Sequence, residues 1–346
     1  LAGGALLVFV LDLIRGKKCR HHSWLGIVIL GWAGFATFTS LGHHDGSAVG
    51  VFLFENMLAL DGFTQLFRLF FLLTGVLIHY NASGSLAFEH LGELSFTDNL
   101  GPTLIFIAFG MKCAFPFLHN WLQDAYPEAT ATGTVFLSAF TTKLAVYALA
   151  RGFAGTELLV PIGAVMTAFP VFYAVLENDL RRVLAYSLNN QLGFMVVGVG
   201  IGTELALNGA AAHAFTHIIY KSLLFMSMGA VLYRTGRMNG SELGGLYKSM
   251  PWTCLCCIIG ASSISAFPLF SGFISKSMVM QAASNGGYVV VWLALLFASA
   301  GVFHHAGIKI PFFAFYAHDS GIRCKEAPLN MRIAMTIAAV LCVFIG

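Results

Sequence analysis

The sequence predicts an all-α integral membrane protein, a bundle of about eleven transmembrane helices. Of its 346 residues, 58% are hydrophobic and only 10% are charged, whereas ordinary soluble domains carry roughly 25% charged residues. Mean hydropathy is +0.79. Apolar runs of about 20 residues, the length that crosses a bilayer, recur along the whole chain. The net charge of +3 is too small to indicate a nucleic-acid partner.

The apolar runs define the spans in order. They lie at 1–14, 24–42, 52–78, 101–118, 130–150, 158–176, 183–201, 207–233, 252–274, 289–315 and 331–346. Short polar segments separate them, so we expect residues 1–346 to form a single membrane domain. The first and last runs are short for a span, and we expect the chain to be truncated at both ends. The basic stretch RGKKCRHH follows the first run, whereas the charge of a signal peptide precedes its apolar region.

Basic loops predict the orientation of the spans, because cytoplasmic loops are enriched in Lys and Arg. Segments 15–23, 177–182, 234–250 and 319–332 are basic and should lie on the cytoplasmic side. The last three agree, since two spans separate each neighbouring pair. Five spans separate the first from the second, which is an odd number. We therefore expect one re-entrant segment, or an odd number of absent spans near 52–80.

Lysines inside apolar runs are the first sign of function. Lys112 and Lys143 each have long apolar sequence on both sides, and an uncompensated charge at mid-bilayer costs about 2.5–3.5 kcal/mol. Snorkelling of the side chain to an interface is the alternative. It suits Lys112, close to Pro116, better than Lys143, which lies near the middle of its span. Burial favours the neutral amine, so such a group can bind and release a proton.

A polar stripe on one helix is the second sign. In AAHAFTHIIYKSLLFMSMG, the residues His213, His217 and Lys221 recur at i, i+4 and i+8 and so share one face. Aligned titratable groups of this kind favour a proton path. A helix–helix interface joined by polar contacts is the alternative, and the absence of a facing histidine pattern in the later spans argues against haem.

Prolines that interrupt apolar runs are the third sign. Pro116 and Pro268 should break their helices, and broken helices at membrane depth often mark ion sites. Simple kinks are the alternative. Lys112 precedes the first break and Lys276 follows the second, while His304, His305 and Lys309 lie near Pro311.

Two further features predict nothing catalytic. The cysteines of CLCC at 254–257 are interpreted as small buried apolar residues. The run ENDLRR at 177–182 is interpreted as a solvated loop, in which ion pairs contribute little.

Four blocks, in order, resemble the antiporter-like subunits of respiratory complex I and of Mrp-type Na+/H+ antiporters. They are GMKCAFPFLHNWLQDAYPEATATGTVFLSAFTTKLAVYALAR, DLRRVLAYSLNNQLGFMVVGVG, AHAFTHIIYKSLLFMSMGAVLYRTG and LGGLYKSMPWTCLCCIIGASSISAFPLFSGFISKS. The resemblance covers roughly residues 100–280, and the blocks are most similar to those of the D-type antiporter subunits of the Mrp assemblies.

The resemblance implies a fold of about fourteen helices, with two inverted repeats, two broken helices and a mid-membrane row of ionisable residues. Lys112 then resembles the central lysine of the first half-channel, and Lys143 the lysine that bridges the two halves. His213, His217 and Lys221 resemble the linking residues of the second half. Lys276 follows the family's G-F-x-S-K motif, and Lys309 is expected to be the central lysine of the second broken helix.

One departure from the family pattern concerns residues 63 to 80. Family members have several spans between the D-G-F segment, Asp61–Phe63 here, and the G-M-K block, including one that carries an acidic partner for the first lysine. Glu55 precedes D-G-F and is not that acid. We therefore expect missing helices between about 63 and 80, either as a gap or as a true deletion.

Together these features predict a membrane subunit that passes protons through a Lys/His relay. Two assemblies remain open: a proton pump of the NADH:quinone oxidoreductase kind, with its redox centres in other subunits, and an Mrp-type transporter that exchanges Na+ or K+ for H+. A structural subunit that has lost conduction is the third alternative. We expect no cofactor on this chain, and as partners other hydrophobic subunits and lipids in a bacterial or mitochondrial inner membrane.

Overall fold

A computed structural model describes residues 51–53, 58–60 and 100–346 of the chain. The chain divides into two compact units, Leu1–Ile105 and Phe106–Gly346. The spans predicted at 1–14 and 24–42, the expected missing helices and most of the loop at 79–100 lie outside the described residues.

The first unit contains two short antiparallel strands, β1 (Val51–Leu53) and β2 (Leu58–Leu60), with Val51 opposite Leu60. The helix predicted at 52–78 therefore does not begin at residue 52, and residues 61–78 of that span lie outside the described residues. Hydropathy alone does not distinguish a short buried strand from a helix.

Ten helices follow in the described part of the chain, and they confirm the predicted all-α membrane bundle. They are α1 (Leu100–Cys113), α2 (Asn120–Glu128), α3 (Ala131–Gly152), α4 (Leu159–Leu176), α5 (Leu180–Ile201), α6 (Glu204–Thr235), α7 (Pro251–Ile264), α8 (Ser271–Asn285), α9 (Val289–Tyr316) and α10 (Leu329–Phe344). Of these, α3, α4, α6 and α9 are long and apolar enough to cross a bilayer unaided. Three π-helical turns interrupt α3 and α9, at Leu137–Thr141, Phe303–Ile308 and Phe312–Tyr316.

Helix α6 lies at the centre of the second unit, where it packs against α3, α5, α7, α8 and α10. Helix α5 lies beside it and is buried along almost its whole length. Small residues bring α4 and α5 together, since a Cβ on Gly193 would lie 2.6 Å from the carbonyl oxygen of Gly163. Close backbone approach of this kind is how membrane helices associate without a hydrophobic driving force. The centre of the bundle can therefore hold polar side chains away from lipid.

Three of the loops predicted to share one side of the membrane lie at the same end of this unit. Asn178 donates to Ser241 at 3.0 Å, Lys248 donates to Asp319 at 3.0 Å, and Arg234 donates to the carbonyl of Glu326 at 2.9 Å. The contacts join segments 177–182, 234–250 and 319–332. We call this region the basic-loop end.

Both predicted helix breaks are present, and they share one backbone pattern. The first lies between α1 and α2 at Ala114–Phe117, and the second between α7 and α8 at Ala266–Leu269. Each begins with Ala-Phe-Pro, and each has left-handed backbone at its first and fourth residues, with φ of 63° and 67° in one and 58° and 73° in the other. Four non-glycine residues hold a conformation that costs energy, so the surrounding structure must enforce it.

Candidate functional site: a buried row of lysines and histidines

Five basic side chains lie buried in the middle of the second unit. We call them the buried basic row: Lys143 on α3, His213, His217 and Lys221 on α6, and Lys276 on α8. The ring centroids of His213 and His217 are 6.1 Å apart. Lys143 and Lys276 both lie close enough to Lys221 to act on it electrostatically. Three helices thus bring together residues that are 133 positions apart in the sequence.

Lys143 is held by the π turn of α3. Its ammonium donates to the carbonyl of Ser138 at 2.5 Å, and the side chain is 6% exposed. A π turn widens the helix by one residue and frees a carbonyl from the regular ladder. A neighbouring carbonyl of the same turn, that of Leu137, accepts a hydrogen bond from the hydroxyl of Tyr126 at 2.9 Å. The turn therefore fixes where the Lys143 amine lies.

Lys276 is held by the second helix break. Its ammonium donates at 2.7 Å to the carbonyl of Ile264, the last residue of α7. The hydroxyls of Ser263 and Ser271 bridge the same break at 2.9 Å. The break thus supplies a backbone acceptor inside the bundle, which a continuous helix would not.

The α6 stripe is fully buried but only partly hydrogen-bonded. Nδ1 of His213 lies 2.9 Å from the hydroxyl of Ser275. Neither nitrogen of His217 and no hydrogen of the Lys221 ammonium has a hydrogen-bond partner among the described residues. The ammonium of Lys221 lies 5.8 Å from the ring centre of Phe225. Buried polar groups without protein partners are normally satisfied by internal water.

No Asp or Glu is buried in the part of the chain from residue 103 onward, whereas three lysines are. Several ammonium groups buried together without a counter-charge would be strongly unfavourable. Within the described residues, the row can therefore hold only some of its possible protons at once. Each added proton raises the cost of the next.

The other two predicted site residues lie apart from this row. Lys112 is exposed on the last turn of α1, beside the first break. Lys309 was predicted to be the central lysine of the second broken helix, but the structure places Lys309 on a different helix. That break lies between α7 and α8 and carries Lys276, whereas Lys309 lies on α9, which has no such break.

Lys309 instead binds the end of α4. Its half-buried ammonium donates to the carbonyls of Ala174 and Val175 at 3.1 and 2.8 Å, and also to that of Glu177. A lysine at the C-terminal carbonyls of a helix is favoured by the helix dipole. Pro311, which has no backbone N–H to donate, lies between the two π turns of α9. The helical hydrogen bonding already changes there, so Pro311 does not break the helix.

Amides next to the row were missed in the sequence analysis. The hydroxyl of Tyr220 donates to Gln191 at 3.2 Å, Gln191 donates to Asn190 at 2.6 Å, and Asn190 donates to the carbonyl of Thr167. This chain of hydrogen bonds runs from α6 through α5 to α4 and is wholly buried. Three consecutive amides, at 189–191, inside a predicted span were the available signal.

Arg181 was also interpreted wrongly. The run 177–182 was interpreted as a solvated loop, but Arg181 is 3% exposed. Its guanidinium donates to the carbonyls of Pro127 and Ala129, each at 2.8 Å, and to the hydroxyl of Thr134. These acceptors lie where α2 ends and α3 begins, so Arg181 fixes the approach to the helix that carries Lys143.

Two curated proteins are similar to most of the chain. Hydrogenase-4 component B of Escherichia coli (strain K12) is 29% identical over 98% of this chain and 55% of its own length. The D component of the Na(+)/H(+) antiporter of Alkalihalophilus pseudofirmus is 32% identical over 78% of this chain and 57% of its own length. The chain spans about half the length of these curated relatives.

A solved structure shows the same fold. The Mrp complex from Dietzia sp. DQ12-45-1b contains a chain that matches with a TM-score of 0.72 at 20% identity, over 91% of this chain and 65% of that one.

A protein family described as NADH:quinone oxidoreductase/Mrp antiporter, transmembrane, matches residues 60–303. The buried row lies within that range, as do both helix breaks. This chain is therefore an integral membrane protein that belongs to the NADH:quinone oxidoreductase/Mrp antiporter family, as the four sequence blocks predicted.

Proposed function

We propose that the chain is a proton-translocating membrane subunit of a multisubunit complex of the Mrp antiporter or complex I kind. The observation that carries the proposal is the buried basic row, in which three lysines and two histidines share the interior with no buried acid among the described residues. A merely structural role does not explain it, since apolar side chains of similar size would pack there at lower cost.

Repulsion along the row supplies the mechanism. Two ammonium groups about 10 Å apart repel by roughly 1.7 kcal/mol at an effective dielectric of about 20. A proton that arrives on Lys143 therefore makes a proton on Lys221 less favourable. The proton on Lys221 then moves more readily to Lys276 or to the histidines. Each lysine alternates between ammonium and amine. The carbonyl acceptors at Ser138 and Ile264 hold the ammonium form, and internal water joins the groups that lie beyond hydrogen-bonding distance.

Lys112 has a separate place in this proposal. It lies at the first break, as Lys276 lies at the second, and it would exchange protons with Lys143 in the first half of the path. The family's acidic partner for this lysine belongs to the helices expected to be missing between about 63 and 80, so this half of the path rests on the family resemblance.

Two assemblies remain open, and the relatives' names represent both. One relative is a Na(+)/H(+) antiporter subunit and the other a hydrogenase component. In the first case proton movement would be exchanged for Na+ or K+, and in the second it would be driven by redox chemistry in partner subunits. We propose that this chain itself holds no cofactor in either case, and that its partners are other hydrophobic subunits.

The test is proton movement by the intact complex in inverted membrane vesicles, followed with a pH-sensitive dye. Lys221→Ala and Lys143→Ala should each lower the initial rate by roughly 100-fold, as expected for loss of a positioned proton carrier. The control is Lys325→Ala, which removes an exposed lysine of the basic-loop end and should leave the rate unchanged. Normal proton movement in both row variants would instead support a structural subunit that has lost conduction. Replacing Na+ and K+ in the vesicle medium by choline distinguishes the two assemblies. It should stop proton movement by a cation/proton antiporter and leave proton movement by a redox-driven pump unchanged.

A further inference from the structure

A cavity of about 470 Å³ lies beside the loop that follows α4, near the basic-loop end. Its wall is mostly apolar, formed by α4 and α9. Its polar groups are Glu177, Asn178, His304 and Lys309. His304 is exposed, and the ammonium of Lys309 is fixed by the three carbonyls at the end of α4. The cavity thus brings ionisable groups to the outer face of α9.

His305, the next residue of the same π turn, faces the interior. It is fully buried, and neither imidazole nitrogen has a hydrogen-bond partner among the described residues. The turn packs against the second helix break, because a Cβ on Gly307 would overlap the hydroxyl of Ser265. A buried imidazole with two unsatisfied nitrogens destabilises the fold, so packing gives no reason for a histidine here.

Four ionisable groups on three helices act electrostatically on His305. On its own helix they are His304 and Lys309; Lys221 acts from α6 and Lys276 from α8. Glu177, in the loop after α4, acts on Lys309. His305 therefore lies within electrostatic range of two groups of the cavity, His304 and Lys309, and of two members of the buried basic row, Lys221 and Lys276.

We propose that His305 is the proton carrier that connects this cavity to the buried basic row at Lys221. The inference rests on the proposed function. It adds His305 to the proton path and identifies the cavity as the place where protons enter it. A proton from the cavity, passed on through His304 or internal water, binds one imidazole nitrogen of His305. The opposite nitrogen releases its proton through internal water towards the Lys221 amine. His305 ends neutral and Lys221 ends as an ammonium, so one proton has moved.

The experiment compares His305→Ala with His318→Ala in the intact complex, in vesicles whose basic-loop side faces the medium. His318 is an exposed histidine at the same end and is the matched control. We expect His305→Ala to lower the initial rate of proton uptake on the order of 100-fold, and His318→Ala to leave it unchanged. Imidazole added to the medium should restore much of the lost rate, because it enters the cavity and replaces the missing side chain.

A second variant distinguishes a proton-carrying role of His305 from a packing role. His305→Gln keeps much of the side-chain volume and its hydrogen-bonding groups but cannot relay a proton. We expect it to be as slow as His305→Ala with an unchanged Tm. A rate that falls only together with Tm, or a loss that imidazole does not restore, would overturn the inference.

The failure of this inference differs from the failure of the proposed function. If the unmodified complex moves protons and Lys221→Ala stops it while His305→Ala does not, the row conducts but His305 is not its connection to the cavity. If the unmodified complex moves no protons at all, the proposed function itself is wrong.

Discussion

The ammonium of Lys276 lies 2.7 Å from the carbonyl oxygen of Ile264, the residue at which α7 ends. The lysine and its acceptor are on opposite sides of a helix break. The break therefore does more than bend the chain, since it places a backbone oxygen where a buried amine can be held in its charged form.

Replacing Lys276 with Met should stop proton movement while leaving the fold intact. Methionine fills a similar volume, and the Ser263–Ser271 hydrogen bond still bridges the break. We expect the initial rate of proton uptake in vesicles to fall by about 100-fold. Tm should change little, because the hydrogen bond lost to Ile264 is offset by no longer burying an ammonium without a counter-charge. Ser277→Ala, an exposed change on the same helix, is the control. A Lys276→Met complex that still conducts would remove Lys276 from the path.

Replacing Arg181 with Ala should lower stability. The change leaves the carbonyls of Pro127 and Ala129 without their buried donor, and hydrogen bonds to charged groups each contribute about 1.5–3 kcal/mol. We expect the free energy of unfolding to fall by roughly 3 kcal/mol, measured as a lower Tm in detergent. Arg181→Lys should recover only part of the loss, because an ammonium lacks the planar fork of donors.

Arg182 provides the matched control for that experiment. It is half-exposed, and its guanidinium lies 4.0 Å from the carboxylate of Glu177. Such surface pairs contribute about 0–1 kcal/mol, so Arg182→Ala should change Tm little. Equal effects of the two substitutions would contradict the buried role of Arg181.

Replacing Gly272 with Ala should destabilise the second break. A Cβ at this position would overlap the carbonyl oxygen of Ser263, so α8 would have to move away from the end of α7. Overpacking of this kind costs about 1–3 kcal/mol. We expect a lower Tm and a slower proton uptake, because Lys276 lies on the displaced helix. An unchanged Tm would mean that the break is loosely packed.

We expect the loop carboxylate of Asp319 to stabilise the fold at neutral pH and to lose this effect in acid. Hydrogen bonds from Arg323 and Lys248, with a backbone bond from Gly321, hold the pKa of Asp319 well below its ordinary value of 3.8. A carboxyl group whose folded pKa is depressed stabilises the fold above its ordinary pKa and loses that effect as pH falls below it.

Comparing Asp319→Asn with the unmodified protein checks this sign. The Tm of the unmodified protein should be the higher of the two at pH 5, and the difference should shrink at pH 3. A difference that stays the same or grows on acidification would contradict a stabilising role for the charge of Asp319.

The sequence predicted that the polar stripe of α6 lies on one face, for a physical reason. His213, His217 and Lys221 lie on one face of a helix because the helical repeat places them there, and the structure buries that face. The two breaks were also predictable, since a proline inside an apolar run removes a backbone donor whatever surrounds it.

Long-range contacts account for what the sequence analysis got wrong. Arg181 lies next to acidic residues in the sequence, yet its partners are backbone carbonyls and a hydroxyl more than 45 residues away. Pro311 suggested a break near Lys309, but the π turns of α9 accommodate it. The unsatisfied nitrogens of His305 become evident only when the helices are packed together.

The repeated break has a consequence for how this bend is encoded. Residues 114–117 read Ala-Phe-Pro-Phe and residues 266–269 read Ala-Phe-Pro-Leu, and both adopt the same pair of left-handed positions. A single difference separates two tetrapeptides that lie in different helix pairs. The same four-residue motif, Ala-Phe-Pro followed by Phe or Leu, thus ends one helix and precedes the next at two separate places in this chain.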